Sequence, residues 1–125
     1  MSAWRRRAIE CLPDFKKEFE DPEASIYSVF MHLLPGTVVA HQTNDIIQLK
    51  RVYDFAEWCF NQKSKDLWNA AGVSFYEHLG DRMETLQAMH TWVKRDIYLE
   101  IRGLLEQRLD DVTMKELDGR YGIRK

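Results

Sequence analysis

Residues 44–80 read NDIIQLKRVYDFAEWCFNQKSKDLWNAAGVSFYEHLG and contain two consecutive helical patterns. In both patterns the apolar residues recur at steps of three and four, which is the period of an amphipathic helix. The first stripe comprises Ile46, Leu49, Tyr53, Ala56 and Phe60, and the second comprises Trp68, Ala71, Phe75 and Leu79. Because only the polar residues 62–64 separate the patterns, we predict a central antiparallel helical hairpin over about residues 44–80. We expect its core-facing residues to include Phe55, Cys59, Phe75 and Leu79.

The flanking segments repeat the helical period, with proline and glycine placed as stops. The first helix is expected to be interrupted at Pro13, and the second to end sharply at Pro35-Gly36. Residues 37–43 then form an irregular connection, and Thr43 or Asn44 caps the next helix. We therefore predict an all-α fold, a compact bundle of about five to seven helices.

The last third of the chain continues the same pattern. Gly80 is predicted to follow the end of the second hairpin helix, and Thr113-x-x-Glu116 has the form of a capping box before a short final helix. From about residue 118 the sequence is rich in glycine and basic residues, which predicts a mobile tail, with docking of Tyr121 as the alternative. A chain of 125 residues is the usual size of a single domain, so we expect one domain over residues 1–125.

Charge and cysteine content limit the classes of partner and compartment. Acidic and basic residues are interleaved, and the formal net charge is −2, so we expect no broad electropositive face for nucleic acid. The cluster Arg5-Arg6-Arg7 points in several directions on a helix, which is typical of a solvated face; a site for an acidic partner is the alternative. Cys11 and Cys59 are not part of a CxxC motif or of a Cys/His spacing typical of zinc sites, which indicates that they are buried, reduced thiols. With neither a signal peptide nor a membrane span in the sequence, we expect a cytoplasmic protein.

Familiar catalytic motifs do not occur in the sequence. HExxH, GxSxG, Walker A, GxGxxG and EF-hand patterns are all missing. Glu77 and His78 are adjacent, hence about 100° apart on a helix, and do not share a ligand face. We predict no catalytic residue, no cofactor and no metal site. The alternative is a hydrolase or metal-dependent enzyme whose groups meet only in the fold, with His41, Glu57 and His78 as candidates.

Trp58 is the main candidate for a partner contact, because it falls beside the stripe of the first hairpin helix. Either that helix is buried on two sides, or the indole is partly exposed as a rigid aromatic anchor. Residues of the following helix are expected to line the same patch. The candidate partner-binding residues are Glu57, Trp58, Tyr76 and Glu77.

Residues 53–59 and 74–79, reading YDFAEWC and SFYEHL, resemble a family of small, functionally uncharacterised bacterial all-helical domains. The resemblance covers chiefly residues 44–80 and implies a helical fold without a catalytic assignment. In size and charge, the chain is also similar to helical immunity proteins, which neutralise bacterial toxins.

Function is predicted by elimination, since a small domain without catalytic, nucleotide or membrane signals acts most simply through its surface. We predict a non-catalytic, cytoplasmic bacterial protein-interaction module with a protein partner, a toxin-neutralising immunity protein being its most specific version. An enzyme with a site assembled in the fold and a structural accessory domain are the alternatives.

Overall fold

The computed structural model describes residues 1–123, and the regular structure in that range is entirely helical. The α-helices are α1 Ala3–Cys11, α2 Lys16–Glu20, α3 Ile26–Gln42, α4 Ile46–Phe60, α5 Lys65–Ser74, α6 Met83–Trp92, α7 Arg95–Glu106 and α8 Asp111–Arg120. Two 3₁₀ helices, Pro13–Phe15 and Tyr76–Asp81, precede α2 and α6. The predicted all-α class is confirmed. The described range holds eight α-helices rather than the predicted about five to seven; the eight include the short α2, which follows the predicted interruption at Pro13.

α3 runs without a break through Pro35 to Gln42, so the predicted stop at Pro35-Gly36 is wrong. The irregular connection predicted for residues 37–43 is replaced by helix as far as Gln42. A proline inside a helix costs about 3 kcal/mol, because it has no N–H group and its ring meets the preceding turn. Burial offsets that cost here, since Val38 and Ala40 beyond the proline pack into the core.

The chain turns between α3 and α4 at Asn44, whose φ of 54° lies in the left-handed region that asparagine tolerates. Asp45 caps α4, rather than the predicted Thr43 or Asn44. Its carboxylate accepts a hydrogen bond from the Gln48 N–H group at 3.1 Å. The negative charge also lies at the positive end of the helix dipole, which stabilises this start of α4.

α4 and α5 pack against each other and against α3, so the predicted hairpin region lies at the centre of the molecule. Its second arm is shorter than predicted, because α5 ends at Ser74 and residues 76–81 form a 3₁₀ helix. Gly80 lies inside this 3₁₀ helix rather than beyond the end of an α-helix. A Cβ atom on Gly80 would come within 2.9 Å of Leu109 Cδ2, so glycine allows a close contact there.

All four residues predicted for the hairpin core are buried, namely Phe55, Cys59, Phe75 and Leu79. The Phe75 ring contacts three other aromatic rings, with centroid separations of 5.9 Å to Phe30, 5.7 Å to Tyr53 and 5.3 Å to Tyr76. Both cysteines are free and buried. Burial raises the pKa of the Cys59 thiol to about 12, which keeps it protonated at neutral pH.

Two arginines of the N-terminal cluster have partners within the chain. Arg5 donates hydrogen bonds to three backbone carbonyl oxygens in the segment that follows α1 and leads into α3, those of Phe19, Asp21 and Ala24. The Arg7 guanidinium carbon lies 4.5 Å from the ring centre of Trp58, in a cation–π contact. Arg5 and Arg7 therefore connect α1 to its neighbours, while Arg6 is exposed.

α8 begins after Asp110, whose carboxylate accepts a hydrogen bond from the Thr113 N–H group at 2.8 Å. The capping box predicted to start at Thr113 is therefore wrong. The sequence predicts a mobile tail from about residue 118, whereas the helix continues to Arg120 and Tyr121 is buried. Residues 124 and 125, the end of that predicted tail, lie outside the described residues. In residues 1–123, no helix combines the length and hydropathy needed to cross a membrane.

Candidate functional site

The four predicted partner-binding residues do not form an exposed patch. Tyr76 is only 1% exposed and packs against the rings of Phe60 and Phe75. Trp58 is half-buried beneath the Arg7 guanidinium. Tyr76 therefore offers no surface to a partner in this structure, because its ring is buried at the start of the 3₁₀ helix Tyr76–Asp81.

The two predicted acidic residues have partners of their own. Glu57 forms an ion pair with Lys94, whose Nζ lies 2.7 Å from Glu57 Oε1. The hydrogen bond between them raises the pKa of Lys94. Glu77 is half-buried, with its carboxylate 3.8 Å from the imidazole of His78. Both pairs lie within the chain, so neither carboxylate is presented as a separate acidic anchor.

The candidates for an enzymatic site are bonded to different partners. His41 Nε2 lies 2.7 Å from the Tyr53 hydroxyl, and His78 Nδ1 lies 2.9 Å from the Asp81 carboxylate. Glu57 pairs with Lys94 on a third part of the molecule. Within residues 1–123, no three histidine, cysteine or acidic side chains are arranged to hold a metal ion. The structure therefore does not assemble His41, Glu57 and His78 into one site.

A groove of about 450 Å³ runs beside α3, between that helix and the segment from the second 3₁₀ helix to α6. We call it the α3 groove. Its lining is apolar on the α3 side except for Gln42 and polar on the other side, and comprises Leu34, Pro35, Val38, Val39, Gln42, His78, Asp81, Arg82 and Thr85. An apolar wall facing a polar wall is the arrangement that binds an amphipathic ligand surface.

The outer face of α3 extends the apolar wall into solvent. Met31, Pro35 and Val39 are spaced four residues apart, so they lie on one face of the helix. Met31 is 75% exposed and Val39 is 55% exposed, so this face of α3 presents apolar side chains to solvent over two turns. The sequence contains this spacing, but the three residues share a helix face only if Pro35 lies inside a helix, which the sequence did not predict. For that reason this surface was not predicted from the sequence.

The polar wall of the α3 groove is held by ion pairs. Arg108 donates two hydrogen bonds to the Asp81 carboxylate, at 3.1 and 2.8 Å, and His78 contacts the same group. Burial acts to raise the pKa of Asp81, but the bonds from Arg108 and His78 outweigh it and lower the pKa. Asp81 therefore remains ionised at neutral pH and keeps the wall in place.

The end of the groove near the C-terminus of α3 is closed by a second polar contact. Gln42 donates a hydrogen bond to the Glu84 carboxylate at 2.7 Å, and Arg82 lies 3.4 Å from the same carboxylate. These contacts link α3 to the first turn of α6 across the groove. The groove is thus a fixed feature of the packing, with preformed walls.

A second, smaller groove of about 300 Å³ lies between α5 and α7. Trp68, predicted as part of the second hairpin stripe, lines it and is 40% exposed. Ile46 of the first stripe is also exposed, because it is the first residue of α4 and extends past the core. The α3 groove is larger than this one and continues into an exposed apolar face, so it is the stronger candidate of the two.

Comparison with known proteins identifies a family. No curated protein and no solved structure is detectably similar to the chain. A family model described as a domain of unknown function, DUF7674, matches residues 5–109. The match extends well beyond residues 44–80, on which the resemblance to an uncharacterised helical family was based, and it covers α1 to α7. The chain therefore belongs to the DUF7674 family, a domain of unknown function.

Proposed function

We propose that the protein is a non-catalytic protein-interaction module and that its partner binds the α3 groove together with the exposed face of α3. One observation carries the proposal: the exposed side chains of Met31 and Val39 continue directly from the apolar wall of a preformed groove. Apolar side chains of a partner would be buried in the groove, away from water. Polar groups of the partner at the rim of the groove would pair with Arg82 or Gln42.

The partner is proposed to be a protein rather than a small metabolite. The apolar face extends beyond the groove along α3 as far as Met31, which does not line the cavity. A small ligand confined to the groove would leave that part of the face in water, whereas a protein surface covers both. A bacterial toxin, with this chain as its immunity protein, is the most specific partner that we propose, and chain size and mixed charge support it. A cytoplasmic location belongs to the same proposal.

The test compares two aspartate substitutions at exposed β-branched residues. Val39→Asp places a charge on the face of α3, while Ile47→Asp places the same charge at a residue of α4 that is 70% exposed and does not line the α3 groove. Both variants should keep the helical circular dichroism and thermal midpoint of the wild type, since surface changes usually alter stability by about 0.5 kcal/mol or less.

Tagged wild-type chain is used to capture and identify a partner from the native host, and binding is then measured with purified proteins. We expect Ile47→Asp to bind as the wild type does, and Val39→Asp to bind about tenfold more weakly or worse, as for loss of an interface anchor. Equal binding by the two variants, or the absence of any stoichiometric partner, would remove the support for this site.

A further inference from the structure

The smaller groove between α5 and α7, which we call the α5–α7 groove, differs in composition from the α3 groove. Aromatic and aliphatic residues make up most of its lining, and within residues 1–123 Glu100 is the one charged side chain that lines it. Its volume of about 300 Å³ lies at the small end of the range for ligand sites, about 300–1,000 Å³. The α5–α7 groove therefore suits a single side chain or a small ligand rather than a folded element.

Gly72 leaves the space that forms this groove. A Cβ atom on Gly72 would lie 3.7 Å from Leu104 Cδ1, an ordinary contact distance, so α5 and α7 approach closely here without a clash. A long side chain at this position would occupy the groove, which Gly72 and Leu104 both line. About one turn before these two residues, Trp68 on α5 and Glu100 on α7 also line it. The groove thus brings an indole ring and a carboxylate to one small space.

Two aromatic rings favour a cation in the α5–α7 groove. The Phe60 ring is held in place by a T-shaped contact with the buried Tyr76 ring, with centroids 5.4 Å apart. Trp68 is 40% exposed, so its indole remains accessible from solvent. The face of an aromatic ring carries negative charge density and attracts a cation, and tryptophan does so most strongly. The lining therefore favours a ligand with an apolar stem and a positively charged end.

Glu100 and Asn69 supply hydrogen-bond acceptors for such a ligand. Glu100 is exposed and has no ion-pair partner within the described residues 1–123. Asn69 Nδ2 donates a hydrogen bond to the Tyr27 hydroxyl at 2.9 Å, which leaves the amide oxygen of Asn69 as an acceptor. Because Glu100 is exposed, a cation beside it keeps part of its hydration and avoids the cost of burying a charge.

We propose that the α5–α7 groove binds a lysine side chain of a partner protein. The four-carbon stem of the lysine packs against the aromatic and aliphatic lining, and its ammonium group pairs with Glu100 where the groove meets solvent. Charge complementarity determines this occupant, because the lining includes an unpaired carboxylate and, in the described part of the chain, no cationic side chain. The inference does not rest on the proposed role of the α3 groove.

A protein fits this site better than a free amine does, because apolar surface continues beyond the groove. Leu99, which precedes Glu100 on α7, is 46% exposed and does not line the groove. A free amine would leave this side chain and part of Trp68 in water, whereas a protein surface that inserts a lysine covers both. Tryptophan is also among the residues that most often dominate the binding energy of protein interfaces.

The experiment compares two blocked amino acids of nearly the same shape. N-acetyl-lysine methylamide carries the ammonium group, and N-acetyl-norleucine methylamide has the same four-carbon stem without it. Each probe is titrated into the isotope-labelled full chain, and NMR follows the indole N–H signal of Trp68 and the backbone amide of Glu100. We expect the lysine probe to bind about fivefold more tightly or better, as for an exposed ion pair together with a cation–π contact. Equal binding of the two probes, or binding of neither, would overturn the proposal.

Ionic strength provides a test on the unaltered chain. Raising sodium chloride from about 0.02 M to about 0.5 M should weaken binding of the lysine probe about threefold or more, because salt screens exposed charges. Binding of the norleucine probe should stay the same within about twofold, since it depends on apolar contact. If salt affects the two probes equally, the carboxylate does not contribute to recognition and the proposal fails.

Substitutions assign the binding to the groove. Glu100→Gln keeps the shape of the side chain and removes its charge, so the lysine probe should lose most of its advantage over the norleucine probe. Glu23→Gln is the matched control, because Glu23 is an exposed carboxylate that does not line the groove, and it should leave both probes unaffected. Trp68→Leu should also weaken binding of the lysine probe, since it removes an aromatic face. An undiminished preference for lysine in the Glu100→Gln chain would show that the ammonium group binds elsewhere and would overturn the proposal.

A free amine, n-butylammonium, tests the proposed source of the cation. It has the stem and the ammonium group of the lysine probe but lacks the peptide groups that a protein partner would bring to the rim. We expect it to bind no more tightly than the lysine probe does. If n-butylammonium binds about tenfold more tightly, the peptide groups obstruct the site and the proposed protein partner is excluded.

Discussion

Replacing Phe75 with alanine removes a ring that has no solvent exposure and contacts three other aromatic rings. A buried phenylalanine covers about 150–250 Å², which at about 25 cal/mol per Å² corresponds to roughly 4–6 kcal/mol. Alanine retains part of this area, and the unfolded chain already buries some of it. Both effects reduce the loss of stability, whereas the cavity left among the neighbouring rings increases it. We expect Phe75→Ala to lower the free energy of unfolding by about 3–5 kcal/mol, a large share of a typical total of about 5–15 kcal/mol.

Urea unfolding followed by tryptophan fluorescence and by far-UV circular dichroism measures this loss, and coincident transitions would establish that unfolding is two-state. Phe75→Leu is the matched control, because it keeps an apolar side chain of similar reach and should cost less than about 1.5 kcal/mol. A loss below about 1 kcal/mol for Phe75→Ala would refute the reasoning, since removal of a fully buried ring lowers the free energy of unfolding by more than that.

Gly80→Ala should lower the free energy of unfolding by about 1 kcal/mol, because the new Cβ meets the Leu109 side chain. The same change in a Leu109→Ala background should cost less, and additive losses in this double-mutant cycle would contradict the predicted contact. Burial lowers the pKa of His41 below its usual 6.5. Its contribution to stability is therefore fully present above the unfolded pKa and is lost as the pH falls from about 6.5 through the folded pKa. Urea unfolding at about pH 7.5 and about pH 5.5 should accordingly show a larger loss of stability for the wild type than for His41→Gln, and equal losses would show that His41 is not responsible.

The sequence by itself determined the fold class and the inner face of the central helices. Apolar residues at steps of three and four predict which side of a helix leaves water, since the period depends only on helix geometry. Phe55, Cys59, Phe75 and Leu79 were therefore identified correctly, and the resemblance of residues 53–59 and 74–79 to a family of uncharacterised helical domains agrees with the family match.

Only the tertiary structure decided where helices continue and which surfaces remain exposed. Pro35 opposes a helix locally, but burial of Val38 and Ala40 beyond it outweighs that local cost, and this depends on α3 packing against α4 and α5. The same is true of the surface residues. Tyr76 is polar enough to face water, yet its ring packs against those of Phe60 and Phe75 and is buried.

The α3 groove could not be predicted from the sequence because it joins residues that are distant along the chain. It lies between Val39 of α3 and the region around Arg82, and the ion pair of Arg102 on α7 with Asp118 on α8 likewise joins distant residues. Periodicity reports how a segment divides its residues between core and solvent, and it carries no information on which segments become neighbours. That information comes from the packing of the helices around the shared core, where the burial summed over many side chains decides the arrangement.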